Sequence, residues 1–240
     1  MDSGKVKSER GKMVLVFASN NAHKLSEVRE IMPAGVEVLS LRDIGFTADI
    51  EETGATLEEN SRIKAATVAA FINNRMSASL NDEMMIDGVF ADDTGLEIDA
   101  LGGKPGVYTA RWYRLNDGMS AAAPLNDEMM IFAANRQKAL RELDGKSERG
   151  AQFRTVITLI DVRPASPARR EKSEIQVEGI VRGRIATEEY GEGGFGYDPL
   201  FIPEGYDKTF GELPAEVKNG ISHRARALTK LVGVLKMYDY

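Results

Sequence analysis

The chain has 240 residues, 42% of them hydrophobic, and it carries a formal net charge of −6 with a pI near 5.2. That length and hydrophobic content can bury one substantial core, in one large domain or two small ones. We expect a flexible tail over residues 1–12 followed by a single two-lobed domain over residues 13–240. The acidic balance argues against a nucleic-acid partner. A phosphate ligand stays compatible with it where lysines and arginines gather locally or a divalent metal adds positive charge.

Cysteine and histidine counts limit the available chemistry. The absence of cysteine excludes disulfides, thiolate zinc sites and a cysteine nucleophile, and only two histidines occur, His23 and His223. Any metal ligands are therefore oxygens, which favours magnesium or manganese. The polar opening MDSGKVKSERGK and the short apolar run MVLVFA suit neither a signal core nor a membrane span, so we expect a cytoplasmic protein with no membrane partner.

Strand and helix patterns alternate along the first part of the chain. MVLVFAS at 13–19 has the β-branched apolar character of a buried strand, and HKLSEVREIM after it has apolar residues at helical spacing. VEVLSL at 36–41 indicates a second strand. TLEENSRIKAATVAAFINN at 56–74 predicts a long helix that begins with a capping box formed by Thr56 and Glu59.

The second part of the chain adds a strand, an antiparallel pair and a final helix. MIDGVFA at 85–91 predicts the strand, and the segments at 151–163 and 173–185 predict the pair, joined by the polar PASPARREK. SHRARALTKLVGVLKMY has apolar residues at helical spacing. The combination predicts an α/β fold with a mixed sheet rather than a purely parallel one.

An internal repeat interrupts this pattern. MSASLNDEMMI at 76–86 returns as MSAAAPLNDEMMI at 119–131, with LNDEMMI identical in both copies. Two short copies do not make a solenoid. We expect both to be exposed insertions, with a matched contact in an oligomer as the alternative.

The segment SNNAHK at 19–24 joins the first predicted strand to the first helix. Backbone N–H groups at such a helix start form an anion site, and Lys24, Asn20 and Asn21 add donors. A polar N-cap with a solvated lysine is the alternative, because the segment lacks the glycine spacing of a nucleotide-binding loop.

Two acid pairs occur in the same order before Thr-Gly. They are Glu51-Glu52 and Asp92-Asp93, and we expect each to lie in a loop beside a regular element. Carboxylates from both loops could converge on one hard cation, while one acid of Asp92-Asp93 orients or deprotonates a water. The alternatives are a solvated acidic face for the first pair and an Asp-capped turn for the second.

Two further segments supply rings and donors. In GEGGFGYDPLFIP, Phe195 and Tyr197 flank Gly196 and could hold a flat base, unless both rings are buried in a glycine-rich turn. In KNGISHRARAL, the donors Lys218, His223 and Arg224 surround a helix start whose predicted N-cap is Ser222; the alternative is a solvated helix end. Arg111 in GKPGVYTARW is a further donor or a surface ion pair. Together the segments indicate a metal-dependent enzyme acting on a nucleotide.

Five motifs in this order resemble the non-canonical purine nucleoside triphosphate pyrophosphatase family. They are FASNNAHK, EETGATLEENSRIKA, FADDTGLEIDALGGKPGVYTARW, GGFGYDPLF and ISHRARAL, and the resemblance spans roughly residues 13–236. It implies an elongated, mixed central sheet flanked by helices, with the active site in a cleft between two lobes. It also implies a homodimer that hydrolyses ITP, dITP and XTP to the monophosphate and pyrophosphate with magnesium, cleansing the nucleotide pool.

Roles for individual residues follow from the same resemblance. Glu52 and Asp93 would belong to the magnesium and water site, with Asp93 as the catalytic proton acceptor. The substrate would be bound by the remaining motif residues: Ser19, Asn20, Asn21, Lys24, Lys64, Thr94, Phe195, Gly196, Tyr197, Asp198, Lys218, Ser222, His223 and Arg224. Ser19 stands where the family often has threonine and keeps the hydroxyl. Asn20 stands where glycine is common, which weakens the expected approach of the backbone to phosphate at that position.

Two alternatives to this activity remain open. The same site could serve a pyrophosphatase for another modified nucleotide, such as one with a modified pyrimidine or a methylated base. The chain could also be a non-catalytic nucleotide-binding module. The carboxylates argue against that module, because a pure anion binder has no use for acids beside phosphate unless a metal intervenes.

Overall fold

A computed structural model describes residues 12–78, 85–115, 125, 127–163 and 174–237. The tail predicted over residues 1–12 therefore lies, except for Lys12, outside the described part. Among the described helices, none is long and apolar enough to cross a membrane.

The described strands form one mixed sheet, which confirms the predicted fold class. They are β1 (Met13–Phe17), β2 (Val36–Leu39), β3 (Gly88–Ile98), β4 (Lys104–Gly106), β5 (Gly150–Asp161), β6 (Glu174–Ile185) and β7 (Phe201–Pro203). The order is β2-β1-β3-β5-β6-β7, with β4 beside β3. β1 runs parallel to β2 and β3, whereas the other pairings are antiparallel, including the predicted β5–β6 pair.

Helices cover both faces of the sheet. They are α1 (Ala22–Ile31), α2 (Leu57–Ala78), α3 (Glu128–Glu142), α4 (Ala215–Ile221) and α5 (His223–Met237). α2 packs on one face through side chains such as Val68 and Ile72, and α1 and α5 pack on the other through Val28 and Leu231. A third apolar cluster, which includes Trp112, lies at the antiparallel end.

The start of α2 follows its predicted capping box in part. Thr56 Oγ1 accepts a hydrogen bond from the Glu59 N–H at 3.1 Å, as expected. The Glu59 carboxylate accepts from the N–H of Ala55 at 2.6 Å, one residue before the threonine. Two donors at the helix start are thereby satisfied, so this end of α2 is held firmly beside the acidic segment that precedes it.

Strand β3 is longer than its apolar run predicted, and this corrects the placement of Asp92 and Asp93. Both acids lie inside the strand, where Asp92 pairs with Ile157 and Asp93 with Val156 of β5, not in a loop. Side chains compensate their charges inside the ladder: Lys24 and Arg224 at Asp92, and Lys64 at Asp93. The two acids fall between Phe90, the last residue paired with β1, and the stretch paired with β4.

Part of the second LNDEMMI copy, from Asp127 to Ile131, forms the start of a helix. Asp127 caps α3 by accepting from the Met130 N–H at 2.9 Å, and the helix begins at Glu128. Met129 and Met130 are 68% and 61% exposed, so this part of the copy is on the surface as expected. Most of the first copy lies outside the described residues.

Candidate active site

A cavity of about 440 Å³ opens where β1 ends and the middle of β3 passes. This volume is in the range of small-molecule sites. Of the residues that the family resemblance assigns to the site, all except Ser222 line it: Ser19, Asn20, Asn21, Lys24, Glu52, Lys64, Asp93, Thr94, Phe195, Gly196, Tyr197, Asp198, Lys218, His223 and Arg224. The other candidates, Glu51, Asp92 and Arg111, do not line it.

On the α2 face of β3, one ammonium joins two carboxylates. Lys64 Nζ lies 2.7 Å from Glu52 Oε1 and 2.9 Å from Asp93 Oδ1. Arg111 adds a longer ion pair to Glu52 at 3.5 Å. Glu52 and Asp93 thus converge as predicted, whereas Glu51 is exposed.

The protonation of these groups is set by burial and by the shared lysine. Burial raises the pKa of Asp93 above its ordinary value, because it outweighs the attraction of Lys64 and Lys24, and Glu52 adds to the rise. Burial also opposes ionisation of Glu52, but Lys64 prevails there and the pKa of Glu52 is lowered. The pKa of Lys64 is raised because Asp93 and Glu52 outweigh its burial. Of the two carboxylates, Asp93 is the one whose pKa is raised, which suits it to accept a proton.

On the opposite face of β3, Asp92 is held by two cations. Its Oδ1 lies 2.9 Å from Lys24 Nζ of α1, and its Oδ2 accepts from Arg224 Nε of α5 at 3.0 Å. Asp92 is buried, yet Lys24 and Arg224 together outweigh the burial and hold its pKa well below the ordinary range. Asp92 is an anchor for the two cations rather than a base.

A second charged group lies behind the glycine-rich turn. Lys218 Nζ contacts Glu27 at 2.8 Å and Asp198 at 2.7 Å, and Asp198 also accepts from the Phe195 N–H at 2.7 Å. Lys218 and Arg224 lie 4.8 and 5.8 Å from the centroid of the Phe195 ring. The His23 ring stacks on Phe195 with centroids 5.3 Å apart. The turn thus presents Phe195 as a partly exposed ring surrounded by donors.

His223 is the buried histidine of the site. Its ring stacks on Phe153 with centroids 4.8 Å apart, and Nδ1 lies 2.5 Å from Thr155 Oγ1. Burial, with Arg224 and Lys218 nearby, lowers the pKa of His223 well below its ordinary value. The imidazole is therefore neutral at physiological pH.

Comparison with known proteins identifies the family. The model of the Ham1 family matches residues 15–234. The chain belongs to the Ham1 family. It is 43% identical over 224 residues to a dITP/XTP pyrophosphatase of Bacillus subtilis, covering 92% of this chain and 96% of that protein. It is also 40% identical over 219 residues to one of Chlorobaculum tepidum, covering 90% and 89%.

Solved structures agree with this assignment. A HAM1 protein from Coxiella burnetii has 32% identity and a TM-score of 0.70, with 94% of this chain and 99% of that chain covered. The predicted family is therefore confirmed, and the fold described above is shared with a Ham1 protein.

Several predicted residues have structural tasks in this Ham1 chain. The Asn21 side chain caps α1 by accepting from the Lys24 N–H at 3.0 Å, and Ser19 Oγ accepts from the Asn21 N–H at 3.2 Å. Ser222 is buried and accepts from the Ala225 N–H at 3.2 Å, so it caps α5 as predicted but does not line the cavity. Tyr197 is buried and donates its hydroxyl to the Thr109 carbonyl at 3.1 Å, which leaves Phe195 as the more exposed of the two rings.

Sequence reasoning missed three residues that organise the Ham1 site. Glu27 contacts both Lys218 and Arg224, and Asn60 ties the Gly54 N–H to Asp93 at 2.8 and 3.4 Å. Thr155 contacts His223 from the middle of β5. Glu27 follows Lys24 by one helical turn, and that spacing was a usable signal. A threonine in an apolar strand gave none.

Proposed function

We propose that the protein hydrolyses ITP, dITP and XTP to the monophosphate and pyrophosphate, and so removes these nucleotides from the cellular pool. One observation carries the proposal: a single cavity joins two carboxylates that share an ammonium to an aromatic ring and a neutral histidine. Such a site combines groups suited to a triphosphate with groups suited to a base. Further support comes from relatives about 40% identical that bear the name dITP/XTP pyrophosphatase.

The triphosphate is proposed to bind at the start of α1. The first N–H groups of this helix and its positive end favour anions, and Ser19 and Asn20 line the cavity beside them. Lys24 and Lys64 supply two ammonium groups on the two sides of β3. Phosphate oxygens placed between them would gain from both lysines without a need for the bidentate geometry of arginine.

Glu52 and Asp93 are the residues that would hold magnesium. Both present hard oxygen ligands close enough to share one cation, Lys64 Nζ. Among the described residues no cluster of three or more His, Cys, Asp or Glu suits a metal. Two carboxylates completed by water and substrate phosphate are a usual magnesium pattern, so the donor set fits. Magnesium bound there would offset charge on the triphosphate and on the departing pyrophosphate.

In the proposed reaction, Asp93 takes a proton from the attacking water. The water oxygen forms a bond to the α-phosphorus while the bond from that phosphorus to the bridging oxygen of the pyrophosphate breaks in line. In the metal-free site the pKa of Asp93 is raised whereas that of its neighbour Asp92 is lowered, so Asp93 is the more basic of this pair. Lys64, anchored by Glu52 and Asp93, stabilises negative charge as it grows on the phosphate oxygens.

Base selection is proposed to depend on Phe195 and on donors behind it. A flat base can stack on the partly exposed ring. Lys218, His223 and Arg224 line the same part of the wall and favour an acceptor such as the 6-oxo group. A 6-amino group would leave these donors without a matching partner, and such mismatches give strong discrimination.

Three finer points of the proposal rest on the family resemblance. They are a homodimer, a cytoplasmic location and a single two-lobed domain over residues 13–240. The gathering of the cavity walls from both ends of the chain, Ser19 to Arg224, supports the single domain.

Pyrophosphate release from ITP, dITP, XTP, dATP and dGTP, with and without magnesium, tests the function. We expect magnesium-dependent release from the first three, with kcat/KM at least about 100-fold above that for dATP. The Asp93→Asn variant controls for contaminating phosphatases. Equal release from dATP would contradict the base preference, and preferred release from a modified pyrimidine nucleotide would replace the substrate. Nucleotide binding without release would instead favour a non-catalytic module.

A further inference from the structure

A chain of hydroxyl groups runs from the charged part of the site to the buried histidine. Thr94 Oγ1 lies 2.8 Å from Thr155 Oγ1, which lies 2.5 Å from His223 Nδ1. Thr94 and Thr155 are directly paired across β3 and β5, and Thr155 is fully buried. Because Nδ1 is occupied by Thr155, Nε2 is the ring nitrogen left to meet a ligand in the cavity.

Arg224 and the contact distances favour one direction of the hydrogens along this chain. Arg224 has only donors, and its NH2 group faces Thr94 Oγ1 at 3.5 Å. Thr94 can give its own hydrogen to Thr155 at 2.8 Å or to Asp92 at 3.4 Å, and the first distance is the usual one for an O–H···O bond. With its oxygen accepting from Thr94, the Thr155 hydroxyl can give its own hydrogen to Nδ1. A contact of 2.5 Å suits a hydroxyl donor better than an N–H donor.

We infer that Thr155 is a positioning residue that fixes His223 as the neutral tautomer with its hydrogen on Nε2. This inference rests on the proposed function, since its consequence is a fixed donor aimed at the 6-oxo group of the base. In the other tautomer Nε2 would accept a hydrogen bond and would suit a 6-amino group. The hydroxyl of Thr155 is separated from the base by two hydrogen bonds, one on each side of the His223 ring. It therefore decides whether His223 is matched to a 6-oxo or to a 6-amino group.

The backbone around Thr155 is built for this contact. Thr155 is paired on its other side with Gly179 of β6. A Cβ at Gly179 would lie 2.1 Å from the His223 carbonyl oxygen and 2.4 Å from the Ala227 nitrogen. Only glycine lets the first turn of α5 lie this close to the sheet, and that approach brings the imidazole within reach of Thr155.

The tautomer of His223 matters only if its imidazole ring is neutral. A charged imidazolium would carry hydrogens on both nitrogens and would make the tautomer irrelevant. Burial beside Arg224 and Lys218 lowers the pKa of His223 well below its ordinary value, which favours the neutral form at physiological pH.

Nitrogen-15 NMR of the ligand-free protein tests the tautomer directly. Protonated and unprotonated nitrogens of a neutral imidazole have well-separated shifts, and couplings to the ring protons tell Nδ1 from Nε2. With two histidines in the chain, a His23→Gln variant assigns the signals. We expect His223 to carry its hydrogen on Nε2, and a hydrogen on Nδ1 would overturn the inference.

Matched variants connect the tautomer to base preference. Thr155→Val removes the hydroxyl, and we expect the Nδ1–H tautomer to become populated and the dITP-to-dATP ratio of kcat/KM to fall about tenfold. Thr155→Ser keeps a hydroxyl, so it should keep both the Nε2–H tautomer and the dITP-to-dATP ratio of kcat/KM. Thr158→Val removes an equally buried hydroxyl of β5 that contacts Ser61, and it should leave the tautomer and the ratio unchanged.

The two proposals fail in different ways. A wild-type protein that releases no pyrophosphate from dITP would remove the proposed function, whereas the NMR result on free protein does not depend on turnover. An unchanged tautomer and an unchanged ratio in folded Thr155→Val would overturn the role of Thr155 even in an active enzyme. The wild-type spectrum decides the tautomer where Thr155→Val does not fold.

Discussion

Asp92 and Asp93 are neighbours in one strand, yet the two faces of β3 give them opposite properties. Asp92 faces α1 and α5, where Lys24 and Arg224 hold its pKa well below the ordinary range. Asp93 faces α2, where burial and Glu52 raise its pKa despite Lys64. The environment of each carboxyl group, not its residue type, separates a structural acid from a candidate base.

The largest effect is expected when the base is removed. Asp93→Asn keeps the shape of the side chain but cannot take a proton, so kcat with dITP should fall by about 100- to 10,000-fold. Steady-state kinetics measure the loss, with circular dichroism and nucleotide binding as controls for the fold. A folded Asp93→Asn protein with near wild-type kcat would remove Asp93 from the reaction.

Removing charge from the other face should cost stability. Asp92→Asn leaves Lys24 and Arg224 buried without their shared anion, and breaking a buried ion pair typically costs about 3–5 kcal/mol. Urea unfolding measures the change, with Asp93→Asn as the matched control. A loss below about 1 kcal/mol for Asp92→Asn would mean that Glu27 alone compensates Arg224 and that Asp92 is not the anchor.

Lys24 lies between Asp92 and the proposed phosphate position. Removing its ammonium group should therefore weaken binding of the nucleotide. Lys24→Met is expected to raise KM for dITP about tenfold or more, because a hydrogen bond to a charged group is lost. Arg29→Met in the same helix is the control, since Arg29 contacts the Val38 carbonyl outside the cavity. A KM that stays constant in Lys24→Met would separate the SNNAHK segment from the phosphates.

The smallest expected effect is a difference in how stability varies with pH in metal-free buffer. Because the folded pKa of Asp93 is raised, its ionisation opposes folding at neutral pH, and the cost is relieved as pH falls through that pKa toward the ordinary 3.8. Asp93→Asn should therefore have a slightly higher Tm than wild type near pH 7, with the gap closing on acidification.

Ionisation of Asp92 has the opposite effect on stability from ionisation of Asp93. Its depressed pKa means that its stabilisation is present above 3.8 and is lost only as pH falls below that value. Thermal scans of wild type, Asp93→Asn and Asp92→Asn in chelator measure both slopes. Parallel curves for the two variants would show that the two faces of β3 do not differ in charge balance.

Local sequence patterns predicted much of the fold, because the elements concerned depend on residues that are close together in the sequence. The capping threonine of α2, the β5–β6 pair and the helix after Ser222 were all predicted and are present. The extent of β3 was not, because an acid pair inside a strand is tolerated only when distant cations such as Lys24 and Lys64 meet it. Partners this far apart along the chain leave no local signal.

The distance of contacting residues along the chain also decides which features of the site could be predicted. The motifs supplied most of the lining residues, since each segment carries its own polar signature, but not Phe132, Asn135 or Phe153. Which groups touch could not be foreseen: Asp92 and Asp93 part to opposite faces, and Glu27 reaches Lys218 across the chain. Tyr197, expected beside the base, is buried because its hydroxyl finds the Thr109 carbonyl.

Hydrolysis of dITP in oxygen-18 water tests directly whether water attacks the α-phosphorus. If water activated by Asp93 attacks the α-phosphorus, mass spectrometry of a single turnover will find one labelled oxygen in dIMP and none in pyrophosphate. Label in inorganic phosphate or pyrophosphate, or dIDP as a product, would place the attack at another phosphorus and contradict the account.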